Sequence, residues 1–129
     1  MKDANTAGTV LVVEDEAMVN FDVSEALRDE GFETVQSYSG EEALSVLETR
    51  SDIRVVFSDV NLPGTIDGIQ LAREVQRRWP QIELLMTSSH KASELGELDV
   101  VSHYGRFVPK PYPPHAVARR IHDILKAAA

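Results

Sequence analysis

The chain has no cysteine, so disulfides, zinc–thiolate sites and thiol nucleophiles are all excluded. It is short of positive charge. Thirteen Lys and Arg stand against 21 Asp and Glu, for a formal net charge of −8. Gripping a phosphate backbone requires clustered Lys and Arg, so no direct binding of nucleic acid is expected. Long apolar runs are missing too. None approaches the roughly 18 residues that cross a bilayer, so no membrane insertion is expected. Residues Met1–Gly8 lack the apolar stretch of a secretory signal, and the expected location is cytoplasmic. There is one tryptophan, Trp79, and there is no internal repeat, linker or low-complexity tract. What remains is ordinary for a globular protein, with 43% hydrophobic and 26% charged residues. The length of 129 residues suits a single domain over 1–129, with a core from about 9 to 125.

Short β-branched runs alternate with amphipathic segments. Thr9–Val13, Glu33–Tyr38, Val55–Asp59, Ile82–Thr87 and Arg106–Pro109 read as strands, the second more exposed than the others. Val19, Val23, Ala26 and Leu27 mark a first helix, which Gly31 ends. Ser39 and Glu42 predict a capping box before Ala43, Leu44 and Leu47. Asp67 and Gln70 predict another before Leu71, Ala72 and Val75, where Trp79 packs the helix end and Pro80 stops it. Pro113 and Pro114 open a last helix with Val117, Ile121, Ile124 and Leu125 inside. From His90 to Gly105 the pattern supports a short or irregular helix only. Five strands alternating with helices indicate an α/β fold: a doubly wound parallel sheet with helices on both faces.

Such sheets bind ligands at the carboxyl ends of their strands. Here those ends carry Glu14 and Asp15, then Asp59, then Thr87, then Lys110. Carboxylates crowded together need a neutralising partner, and a few carboxylate and carbonyl oxygens suit Mg²⁺. A hydroxyl and an ammonium beside that acidic site point to an anionic guest, of which a phosphoryl group is the natural candidate. A carboxylate can act as nucleophile and form an acyl phosphate. Asp59, alone at its strand end, is the candidate acceptor.

Glu14-Asp15, Asp59, Thr87 and Lys110-Pro111, in this order on alternating strands, resemble the receiver domain of two-component response regulators. The resemblance runs from Thr9 to about Leu125. It implies a flavodoxin-like sheet of order 2-1-3-4-5. It implies that Asp59 is the phosphoacceptor and Asp15 a direct Mg²⁺ ligand, with Glu14 acting partly through water. Asn61 matches the position that ligates metal by its backbone carbonyl. Thr87 matches the switch hydroxyl, Lys110 the lysine that pairs with the acceptor or its phosphate, and Phe107 the switching aromatic. A cis peptide is implied before Pro111. Two features depart from the family pattern: a loop one residue longer at Pro63-Gly64-Thr65, and Ser88 where alanine is commoner.

The function so implied is a stand-alone, Mg²⁺-dependent switch, not an enzyme beyond its own phosphorylation and slow dephosphorylation. Its donor is a histidine kinase or phosphotransfer protein. The output is a protein partner or a phosphate sink, and phosphorylation-dependent homodimerisation is left open. Two rival functions exist. An aspartyl phosphatase usually carries D-x-D after its first strand, where this chain has Glu14-Asp15. A scaffold that is never phosphorylated has no need of the complete acid, acceptor and lysine set. Outside the site, the histidines lack ligand spacing. His90 reads as a solvated loop residue, and His115 and His122 as exposed. Glu25, Arg28, Asp29 and Glu30 read as a solvated helix face.

Overall fold

The computed structural model describes residues 8–88 and 106–128. The chain runs β1 (Thr9–Val13), α1 (Ala17–Asp29), β2 (Glu33–Ser37), α2 (Gly40–Thr49), β3 (Ile53–Asp59) and α3 (Gly68–Arg78). It continues with β4 (Glu83–Ser88), β5 (Arg106–Pro109) and α4 (Pro114–Ala128). The helix expected between His90 and Gly105 lies outside the described residues, as does His90. All strand pairs are parallel and the order is β2-β1-β3-β4-β5, as the resemblance implied.

Successive side chains of a strand point to opposite faces, so each apolar run feeds two cores. Leu11, Val13, Val56, Leu84 and Met86 pack with Ala43 and Leu47 of α2 and Leu71 and Val75 of α3. Val10, Val12, Val55, Phe57 and Leu85 pack on the other side with Val23 and Leu27 of α1 and Val117 and Ile121 of α4. Full burial of one such side chain contributes roughly 1.5–3 kcal/mol.

Local chemistry sets the helix ends. Gly31, at φ +93°, follows the last turn of α1. Its N–H bonds to Arg28 O and that of Phe32 to Leu27 O, both at 3.0 Å, which satisfies carbonyls the helix leaves open. Asp67 and Gln70 form a complete capping box at α3. At α2 the expected box forms by half. Ser39 Oγ accepts from Glu42 N, but the Glu42 carboxylate accepts from Tyr38 N, one residue before the cap. Trp79 caps α3 against the core, with the Arg78 guanidinium 4.4 Å above its ring. His115 is exposed as expected. His122 departs from expectation: it is half-buried, because its ring stacks on Phe32 at 4.5 Å and Nε2 lies 3.2 Å from Glu30 O.

The step from β3 into α3 is the tightest in the fold. Gly68 N donates to Val60 O at 2.8 Å. A Cβ on Gly68 would stand 2.0 Å from the carbonyl oxygen of Asp59 and 2.6 Å from Val60 Cα. Both obstacles are backbone, so neither can swing aside. Gly68→Ala is therefore expected to destabilise the protein by about 3 kcal/mol, the upper range for overpacking, through displacement of β3 at Asp59. Urea unfolding of the two proteins measures it, and equal midpoints would contradict the crowding.

Candidate functional site

The parallel registers bring one end of four strands level. Val13 lies beside Ser58, Asp59 beside Thr87, and Ser88 beside Pro109. Each strand stops there, and a residue at or next to its end carries the polar group: Glu14, Asp59, Thr87 and Lys110. Backbone bonds lock the rim, from Val60 N to Thr87 O at 2.8 Å and from Lys110 N to Ser88 O at 2.9 Å.

Glu14, Asp15 and Asp59 each offer a carboxylate oxygen within 4.8 Å of the others. Lys110 Nζ donates to Glu14 Oε1 at 2.8 Å and to Asp59 Oδ2 at 2.7 Å. Asp59 is 6% exposed and Glu14 3%, whereas Asp15 faces solvent. Asn61 N donates to Asp59 Oδ1 at 3.0 Å, so the loop after β3 turns back onto the acceptor candidate. Thr87 Oγ1 and Glu14 Oε2 are buried without a hydrogen-bond partner among the described residues. Buried polar atoms are normally paired, so these two mark places for a guest. Three acids, a free buried carboxylate oxygen and a free hydroxyl fit a hard cation accompanied by an anion. Phe107 is half-buried and packs against the α2–α3 core. The Lys110–Pro111 peptide is cis, as the resemblance implied. Of the remaining site calls, Glu14, Asp15, Asp59 and Lys110 cluster at one rim of the sheet, and Thr87 lies beside Asp59 in register.

Burial pushes the Glu14 carboxyl up to about 7, the Lys110 hydrogen bond opposes this, and the nearby Asp59 charge adds to it. Burial works against the Lys110 ammonium, but its bonds to Asp59 and Glu14 prevail and hold it above the usual lysine range. Burial also raises Tyr112, whose ring edge meets Phe57 at 5.7 Å.

Two supports escaped the sequence reading. Asn20 of α1 is fully buried and hydrogen-bonded to the ends of β1 and β2. Its place in the stripe Asn20, Val23, Ser24, Leu27 was the available signal, since helical spacing puts all four on the inner face. The other is Glu41. Its Oε2 accepts from Thr65 N at 2.9 Å and Thr65 Oγ1 at 2.7 Å, tying the Pro63-Gly64-Thr65 loop to α2.

A carboxyl whose folded pKa is raised stabilises the fold below its unfolded pKa, and that contribution disappears as pH rises through the folded value. Metal-free protein is therefore expected to lose stability between about pH 4.5 and about 7 on account of Glu14. Glu14→Gln should flatten this part of a urea-unfolding profile recorded in chelator. An unchanged slope would count against a buried, proton-hungry Glu14.

Comparison with known proteins agrees with this geometry. The family model "Response regulator receiver domain" matches residues 10–122. The chain is 31% identical over 126 residues to the sensor kinase CckA of Brucella abortus, covering 96% of this chain and 13% of that protein. It is 28% identical over 107 residues to the DNA-binding transcriptional regulator NtrC of Klebsiella pneumoniae, covering 81% of this chain and 22% of that one. The chain thus spans under a quarter of either relative. A response regulator receiver protein from Sinorhizobium medicae superimposes with a TM-score of 0.85 at 26% identity, covering 96% of this chain and 98% of that one. The family match and the sheet order agree, and the chain is a member of the response regulator receiver domain family.

Proposed function

We propose that the chain is a phosphoacceptor switch. It takes a phosphoryl group onto Asp59 from a phosphohistidine of a histidine kinase or phosphotransfer protein, in a Mg²⁺-dependent reaction. The observation that carries this reading is Lys110, which holds Asp59 and Glu14 together beside Thr87, whose Oγ1 has no hydrogen-bond partner among the described residues.

A carboxylate oxygen of Asp59 attacks phosphorus. The P–O bond forms as the P–N bond to the donor imidazole breaks, and the imidazole leaves as the neutral ring once protonated. Asn61 N–H, bonded to Oδ1, fixes the rotation of the Asp59 side chain during attack. Glu14, Asp15, Asp59 and the Asn61 carbonyl are the residues that would hold Mg²⁺, which supplies neutralisation of phosphoryl charge when bound. Lys110 already sits 2.7 Å from Asp59 and pairs with a phosphoryl oxygen afterwards. Thr87 donates its free hydroxyl to another. Phe107 then repacks against the core it already touches, and the protein shifts between two conformations. Outputs of this switch are a protein partner or a phosphate sink, with homodimerisation as one form of the first. Cytoplasmic, stand-alone action completes the reading, and the mass of the native protein in cells tests that last part. Among the described residues, no helix is long and apolar enough to cross a membrane.

Incubation with acetyl phosphate and Mg²⁺ should add one phosphoryl group by intact mass, and Asp59→Asn should add none. Label persisting on that variant would reassign the acceptor, whereas turnover of a simple phosphate monoester would favour a phosphatase.

Lys110→Ala should destabilise metal-free protein by about 3 kcal/mol, the low end for breaking a buried ion pair. Added Mg²⁺ should restore much of that loss while the conformational response to acetyl phosphate disappears. Thermal melts with and without Mg²⁺ check it, and loss of Mg²⁺ binding would show that Lys110 has another role.

A further inference from the structure

Asn20 is 0% exposed, yet it belongs to none of the groups that would touch metal or phosphate. Its amino group lies 3.0 Å from Ser37 O, 3.1 Å from Glu14 O and 3.3 Å from Val12 O. Carbonyls only accept, so this orientation of the amide is compelled. Two N–H bonds serve three acceptors, and the two shorter contacts reach the last residue of β2 and the first residue past β1. On its other side, Oδ1 accepts from Ser24 Oγ at 3.2 Å and Gln36 Nε2 at 2.9 Å. The amide is fully satisfied, and it closes a polar knot inside an otherwise apolar packing face.

The knot lies under the acid pair. The Glu14 backbone is held at its N–H by Ser37 O, at 3.1 Å, and at its carbonyl by Asn20. That carbonyl belongs to the peptide bond leading into Asp15, the exposed member of the acid cluster. The orientation of that peptide determines where the Asp15 carboxylate emerges relative to Asp59. We propose that Asn20 is a positioning residue for the cation site, setting the Glu14–Asp15 peptide so that both acids converge on Asp59. This rests on the reading of the acid cluster as a Mg²⁺ site. A buried asparagine that served the fold alone would need only to pair α1 with the sheet. Ser24 and Gln36 lie on the far side of the same amide and form the internal control.

The test is Mg²⁺ titration by calorimetry on the full chain, with folding verified by circular dichroism. Asn20→Leu keeps the volume but leaves Glu14 O and Ser37 O without a donor. It should raise the Mg²⁺ Kd roughly 10–100-fold, the range for losing a group that orients metal ligands. Ser24→Ala, which removes one bond from the same knot, should leave Kd within about twofold. Equal Kd for Asn20→Leu and the native protein overturns the proposal, and so does an equal loss in Ser24→Ala. If Asn20→Leu fails to fold, NMR of the native protein decides. The Asn20 side-chain amide and the Glu14 carbonyl should both shift on addition of Mg²⁺, and unmoved signals overturn the proposal. Native protein that binds no Mg²⁺ sinks the reading of the cluster itself, an outcome distinct from normal binding in the variant.

Discussion

One ammonium group holds the site together. Lys110 Nζ bridges Glu14 and Asp59 at 2.8 and 2.7 Å, across 96 and 51 residues of sequence. Two nearly buried carboxylates side by side would repel each other strongly or protonate. The lysine neutralises part of that repulsion, while burial first and the Asp59 charge second still push the Glu14 carboxyl up. The pocket therefore retains an appetite for more positive charge.

The sheet makes this possible. In a parallel sheet, every strand points its carboxyl end to one edge, so each strand delivers a polar group to the same rim. Apolar runs in β1, β3 and β4 stop within a residue of each other in register, and the polar residues begin at that line. The chain also crowds its backbone there. Gly68 meets the carbonyl of Asp59 too closely for any side chain, and Asn61 folds its N–H back onto the carboxylate. The Asp59 side chain and backbone are thereby fixed by contacts within the fold.

The supports are built from different chemistry than the site. Asn20 braces the β1 end through an amide with all its hydrogen bonds made, while Glu41 braces the β3–α3 loop through an exposed carboxylate. The first is buried; the second is exposed, so water competes for its hydrogen bonds. The loop after β3 is thus the more solvated wall of the site. This fits a family in which relatives as different as a sensor kinase and a transcriptional regulator carry the same module within much longer chains.

Sequence alone determined the elements and the cast of the site. Continuous apolar strands alternating with one-sided helices leave a doubly wound parallel sheet as the economical solution, because both sheet faces must be covered. Strand-end residues then announced themselves by being polar where the runs stopped: Glu14, Asp59, Thr87 and Lys110. Tertiary structure decided the rest. Nothing local says that Lys110 bonds Glu14 as well as Asp59, because that depends on β5 reaching past β4 to the rim. Nothing local says that Asn20 is a brace rather than a surface polar residue, because its partners lie on two strands that only the fold places together. The division has a physical reason. Hydrophobic periodicity is written within one turn or one strand, whereas hydrogen bonds and ion pairs at the rim join residues far apart in sequence and exist only once the sheet has set their distances.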